Sequence, residues 1–419
     1  MFDTRRLRVP NPVLAVLVGV CTLLLLLSSI IADWLRGGTQ GLRLAAYHLG
    51  AYNRTIIIPD FFEDGLVRRG LPGTIAHLIS PDYVWGGVGF TIVSALYAAV
   101  PVGALTLHLA RKATPARAAF LAAVFLLAPH TLRAWAHDGG RTDVFVVGSL
   151  AWVALAGVHG RYRLAALAVV VGLFAHEAVV FYGVSLIGMM MWHDRQSGRL
   201  STREALANAA VLGGGLLLAV AAQHAFSADP ATVARRMVAV APRFTVPLEA
   251  TLRDIAIYFA TAEGRGIRTA MCWNFIYNRQ FLPLLALCLG TLALYCPILL
   301  MWRWRWTFVA VTVVPILLLS IVANDVGRWL MFAVANAWLM AVFVHARTPE
   351  PPGRTAYAVA CIIFAALLFT GTGNPFAPNY GSQRLVARLG FPPPSFDGWM
   401  ARCDPDWRDL TGGANPAGS

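Results

Sequence analysis

Apolar residues in this chain come in long uninterrupted runs parted by short polar segments, a pattern with neither the period of two of a half-buried strand nor a narrow helical stripe. The runs lie near 13 to 32, 86 to 110, 118 to 136, 143 to 158, 163 to 176, 178 to 192, 205 to 226, 281 to 301, 306 to 323, 327 to 345 and 355 to 370. A helix needs roughly 20 apolar residues to cross a hydrocarbon core of about 30 Å. The expectation is all-α: a polytopic transmembrane helix bundle of about 11 spans.

The interval 163 to 192 reads either as two short helices broken at "AHEAV" or as one long tilted helix. Loop charge favours two. With two helices, the connections on the side of the N-terminus are "TRRLR", "RKATPAR", "HGRYR", "HDRQSGRLSTR", "RWR" and "HARTPEPPGR", all short and basic, as expected of cytoplasmic loops. The N-terminus is then cytoplasmic and the C-terminus periplasmic, in a bacterial inner membrane. The first run exceeds the ~7 to 15 residues of a signal-peptide core, and no A-x-A site follows it, so it reads as an uncleaved span.

The bundle occupies 1 to 370, with outer loops at 33 to 85 and 227 to 280, and a Pro/Gly-rich periplasmic tail at 371 to 419. "GLRLAAYHLGAY" and "ATVARRMVAVAPRF" within the loops have the spacing of helices lying on the membrane surface. No internal repeat of fixed period is visible.

Composition agrees. Hydrophobic residues make up 58% and charged residues 13%, against about 25% charged in soluble domains. The net charge of +13 is dispersed between apolar runs, without the basic stripe that nucleic-acid binding requires. "WRWRW" at 302 to 306 reads as an interfacial anchor.

The outer segments hold the candidate chemistry. In the first loop Asp60, Glu63 and Asp64 precede Arg68 and Arg69; "HDGGRTD" supplies Asp138, Arg141 and Asp143; "AHE" supplies His176 and Glu177; "NDVGR" supplies Asp325 and Arg328; the second loop adds Arg235 and Arg236 among other arginines. Each cluster alone also fits a solvated turn. Carboxylates serve as general bases or metal ligands, and guanidinium groups match phosphate oxygens. Their common depth at one face marks a membrane-embedded site. A zinc-protease motif fails, because the second histidine would fall at Val180. Cys21, Cys288, Cys296 and Cys361 lie in spans as packing residues, whereas Cys272 and Cys403 lie in outer segments and are a candidate disulfide.

This layout resembles the C-type (GT-C) membrane glycosyltransferases of bacteria and polysaccharide polymerases of similar build. The resemblance rests on the acid-bearing loop after the first span, the later long outer loop, and the short motifs "EDGLVRRGLPGT", "GRTD", "AHE" and "NDVGRW". It implies periplasmic-face transfer of a sugar or glycan from a polyprenyl-phosphate or polyprenyl-pyrophosphate donor to a lipid-linked or glycan acceptor in envelope polysaccharide assembly. Asp60, Glu63, Asp64 and Asp138 would be the catalytic residues, one of them serving as base or metal ligand with Asp33 a rival for the base, and the remaining residues would bind substrate. A divalent cation, Mg or Mn, is a possible cofactor. The partners are membrane lipids, the polyprenyl-linked sugar and envelope-assembly proteins, with no nucleic acid. A transporter or flippase for a lipid-linked or anionic substrate is the rival reading, and would place ionisable residues near mid-membrane on broken helices. A non-catalytic scaffold is a third.

Overall fold

The structure, a computed structural model, describes residues 11–28, 30–32, 34, 35, 37–39, 58–67, 69–132, 135, 142–229, 232, 233, 235, 236, 239, 271–322, 326–348, 353–370, 387–391 and 403. Regular structure among them is helical, apart from one isolated antiparallel bridge between Gly65 and Ser227. The helices are α1 (Asn11–Leu26), α2 (Gly70–Ile79), α3 (Tyr83–Lys112), α4 (Pro115–Leu127), α5 (Asp143–Val158), α6 (Tyr162–Leu173), α7 (Ala178–Gln196), α8 (Thr202–Phe226), α9 (Phe281–Ile298), α10 (Arg305–Val322), α11 (Val326–Arg347) and α12 (Arg354–Thr370). A π-helical turn spans Cys272–Tyr277, and a 3-10 turn spans Trp302–Trp304. The surface helix expected in the first outer loop, and most of the tail, lie outside the described residues; of the one expected in the second loop, Thr232, Val233, Arg235, Arg236 and Ala239 are described and are helical.

Among the described residues five segments are long and apolar enough to cross a membrane: Trp85–Lys112, Thr202–Phe226, Phe281–Ile298, Trp302–Ile321 and Arg328–Arg347. Shorter apolar helices of 10 to 17 residues accompany them. Residues 163 to 192 form two helices, α6 and α7. They are antiparallel, since Tyr162 at the start of α6 donates from its hydroxyl to Asp194 Oδ2 near the end of α7, at 2.7 Å.

Local sequence sets several boundaries. Thr114 accepts from the Arg117 N–H at 3.4 Å with Pro115 at the first helical position. Ser201 and Glu204 form a reciprocal capping box that starts α8. The helices alternate in direction, so the bundle has two ends. At one, here the loop end, α5, α7, α9 and α11 begin; at the other, here the basic end, α4, α6, α8, α10 and α12 begin.

Helix α11 is the axis of the fold: 94% of its apolar segment is buried, against 11% for α8 at the edge. Trp338 on α11 packs against Phe125 of α4, ring centroids 4.4 Å apart and tilted by 35°, and donates to the Leu121 carbonyl at 2.8 Å. Helices α1 and α3 cross where Gly19 and Gly103 meet; a Cβ on Gly103 would lie 3.5 Å from the Gly19 Cα. Small residues let helices approach closely where lipid offers no hydrophobic drive.

Three prolines, Pro101, Pro297 and Pro315, lie inside these helices, and at the first and third a neighbouring helix meets the bared carbonyl. Pro101 in α3 has no N–H for the Tyr97 carbonyl, and Pro315 in α10 has none for that of Val311. Side chains from other helices supply the missing donors. Trp152 Nε1 on α5 donates to Tyr97 O at 3.1 Å. Asn336 Nδ2 on α11 donates to Val311 O at 2.8 Å and to Tyr182 O on α7 at 3.1 Å. Tyr182 in turn donates to the Trp329 carbonyl at 2.8 Å.

Interhelical hydrogen bonds of this kind contribute about 1 to 2 kcal/mol at most. Asn336→Ala is therefore expected to cost about that much in unfolding of the reconstituted protein, and much less in a Pro315→Ala background, where the backbone N–H returns. Equal losses in both backgrounds would remove the capping role.

Candidate functional site

The turn from Ile58 to Val67 is organised by two aspartates. Asp60 Oδ1 accepts from the N–H groups of Phe62 and Glu63, each at 2.9 Å, while Asp64 Oδ2 accepts from the Asp60 N–H at 3.1 Å. Short acids favour such turns because they satisfy nearby backbone donors. Both side chains are 1% exposed, and two buried anions this close require a cation. Arg236 provides it. Its Nε donates to Asp64 Oδ1 at 2.9 Å, Nη1 to Asp60 Oδ2 at 3.4 Å, and Nη2 to Asp64 Oδ2 and to the Ile58 carbonyl, the latter at 2.6 Å.

The backbone adds a second clip. Leu66 N–H donates to Phe226 O at 3.1 Å, Ala228 N–H to Asp64 O at 2.8 Å, and Ser227 Oγ to Leu66 O at 2.8 Å. Gly65, at φ +67°, lies so close to Phe226 O that a Cβ there would be 2.0 Å away. The first loop is thus fastened to the end of α8 and the start of the second loop. Asp60 and Asp64 are committed to this fastening, and so is Arg236, which the sequence had suggested as a phosphate ligand. Glu63 on the same turn is exposed and makes no side-chain ion pair among the described residues. Arg235 is exposed and donates to Thr232 Oγ1 at 2.9 Å.

Arg69 precedes α2 in the left-handed conformation, φ 59°, a strained position for a side chain with a Cβ. That conformation is held by a bidentate pair with Glu177: Nε to Oε2 at 3.1 Å and Nη2 to Oε1 at 2.5 Å, the two side chains 12% and 14% exposed. His176 sits at the same α6–α7 break. Its Nδ1 accepts from the Ala178 N–H at 3.1 Å and lies 3.6 Å from Glu177 Oε2.

Asp143 opens α5 and Arg328 lies in the first turn of α11; Arg328 Nη1 donates to Asp143 Oδ1 at 3.3 Å. Asp143 is 1% exposed, and its Oδ2 has no hydrogen-bond partner. A bare buried carboxylate oxygen is costly and calls for an explanation. The two groups are neighbours: Phe145 packs with Ala175 in one apolar cluster, and the His176 ring meets Phe332, one turn beyond Arg328, edge-on at 6.2 Å. Arg68, Asp138, Arg141 and Asp325 lie outside the described residues.

The loop end therefore gathers three guanidinium–carboxylate sets from segments far apart in the chain. Sequence carried no signal for the pairings of Arg236 with Asp60 and Asp64, 176 and 172 residues away. Among the described residues no group of three or more His, Cys, Asp or Glu could hold a metal ion. Asp60, Asp64, Asp143 and Glu177 are each paired with an arginine instead.

Behind the site, Asn274 Nδ2 in the π-helical turn donates to the Ser320 carbonyl at 2.8 Å. Cys272 is joined to Cys403 by a disulfide, Cα–Cα 5.7 Å, and Gln280 Nε2 donates to Phe391 O at 2.6 Å. These bonds draw residues 391 and 403 of the tail to the loop end.

No family model, curated protein or solved structure matches this chain. The site's chemistry therefore rests on its own geometry.

Removing one partner of a buried ion pair costs about 3 to 5 kcal/mol, far more than replacing both by neutral groups. Arg236→Ala is expected to destabilise the protein in that range, measured by unfolding in lipid nanodiscs. The triple variant Asp60→Asn, Asp64→Asn, Arg236→Gln is expected to recover more than half of the loss.

Proposed function

We propose that this chain is a multi-pass inner-membrane transferase. It crosses the bilayer about 11 times with the loop end in the periplasm, and moves a sugar or glycan from a polyprenyl-phosphate or polyprenyl-pyrophosphate donor to a lipid-linked or glycan acceptor. The supporting observation is Asp143. One of its oxygens is oriented by Arg328, and the other is buried without a partner among the described residues, near a second Arg–carboxylate pair. An oriented carboxylate with an unengaged oxygen has the geometry of a general base.

In this reading Asp143 takes the proton from the acceptor hydroxyl as that oxygen bonds to the sugar's anomeric carbon. The bond from that carbon to the donor phosphate breaks, and the phosphate leaves with the electron pair. A guanidinium facing the leaving oxygen stabilises its charge; Arg328 and Arg69 are the nearest candidates in this cluster. The role of base thus passes from the first-loop acids to Asp143, which the sequence alone suggested only as a substrate ligand. Glu63, exposed on the turn, would meet the acceptor.

The distribution of charge favours transfer over transport. In the described helices every Asp, Glu, Lys and Arg lies within about one turn of a helix end, and the proline interruptions are capped by the neutral Trp152 and Asn336. A transporter would carry ionisable groups at such mid-membrane breaks.

The test is turnover of polyprenyl-phosphate and polyprenyl-pyrophosphate sugars by the protein in nanodiscs. Asp143→Asn is expected to bind donor as wild type does and to lose at least ~100-fold in transfer, the usual scale of general-base catalysis; Glu63→Gln should raise the acceptor's KM. Undiminished transfer by Asp143→Asn would overturn the assignment. Movement of labelled lipid across the bilayer without turnover would favour the flippase.

A further inference from the structure

The basic end holds a cavity of about 710 Å³ between α9, α11 and α12, within the range of small-ligand sites. Its shape comes from the way α9 stops. Leu300 N–H donates to Pro297 O and Met301 N–H to Cys296 O, both at 2.9 Å, with Leu300 left-handed at φ 58°. The turn folds Trp302–Trp304 back, so that the Trp304 ring meets the buried His345 edge-on at 5.4 Å. His345 is fixed to α9 through Nε2 and the Leu299 carbonyl, 3.0 Å apart.

Two chemistries share this cavity. Pro297, Leu300, Ala356 and Val359 make one wall apolar, and Val359 is 42% exposed. Arg303 lines the other side, and the exposed Arg305 and Arg354 flank it. Among the described residues no carboxylate lines the cavity. The surrounding electrostatics point the same way: the described turns of this end hold eleven arginines and one lysine against Asp194 and Glu204. Asp194 is itself occupied by Tyr162, Arg347 and Arg199. The exposed Trp302 and Trp306 mark the depth of the headgroups.

We infer that this cavity is a binding site for one anionic glycerophospholipid of the leaflet facing the basic end, its phosphate at Arg303 and one acyl chain along Val359 and Leu300. The site is independent of the loop-end chemistry, and basic pockets between spans are suited to such headgroups.

The experiment is native mass spectrometry of the protein released from nanodiscs of mixed phosphatidylglycerol and phosphatidylcholine. Wild type is expected to retain one phosphatidylglycerol in preference to phosphatidylcholine. Arg303→Ala should weaken that retention about fivefold, the contribution of one basic side chain at an anionic surface. Val359→Trp, which fills the apolar wall and leaves the charge unchanged, should abolish it. Excess inorganic phosphate should leave the lipid in place. Equal retention of phosphatidylcholine, unchanged retention in Val359→Trp, or displacement by inorganic phosphate would each overturn the inference.

Discussion

A backbone carbonyl that has lost its helical donor cannot be left bare where no water reaches it, and this fold answers that constraint twice. Pro101 and Pro315 open two such carbonyls, and Trp152 and Asn336 close them from neighbouring helices. The consequence reaches the functional end. Trp152 belongs to α5, which begins at Asp143; Asn336 belongs to α11, whose first turn carries Arg328. Neutral hydrogen bonds in the middle of the bundle thereby fix the register of the two helices that bring an acid and a base together at its end.

Charge is kept out of that middle and sorted between the ends. At the loop end Arg69, Arg236 and Arg328 each meet an acid from a distant segment, which fastens the first loop to α8 and to the α6–α7 break. At the basic end cations dominate, and Asp194 is the acid around which α6, α7 and α11 gather. The first end is suited to holding a charged reaction centre, and the second to contact with anionic lipid.

Much of the helical layout was legible in the sequence, because long apolar runs leave few other folds and polar breaks such as "AHEAV" and "WRWRW" mark where helices stop. Residues 163 to 192 show the strength of that signal, since loop charge alone favoured the two helices found there. The site was legible only as a set of residues at one depth. Which acid meets which arginine depends on contacts across more than 100 positions, and nothing local in "PDFFEDG" distinguishes the fastened Asp60 and Asp64 from the exposed Glu63. The proline caps were equally hidden, as Asn336 and Trp152 stand in apolar helices with no motif around them.

An ion pair that only braces α5 against α11 and one that performs chemistry differ in what neutral replacement does. Stability and sugar transfer measured together on the Asp143→Asn, Arg328→Gln double variant separate the two most directly. A reaction centre at this pair predicts stability close to wild type with transfer lost. Retained transfer in a stable double variant would contradict it and leave the pair as a brace.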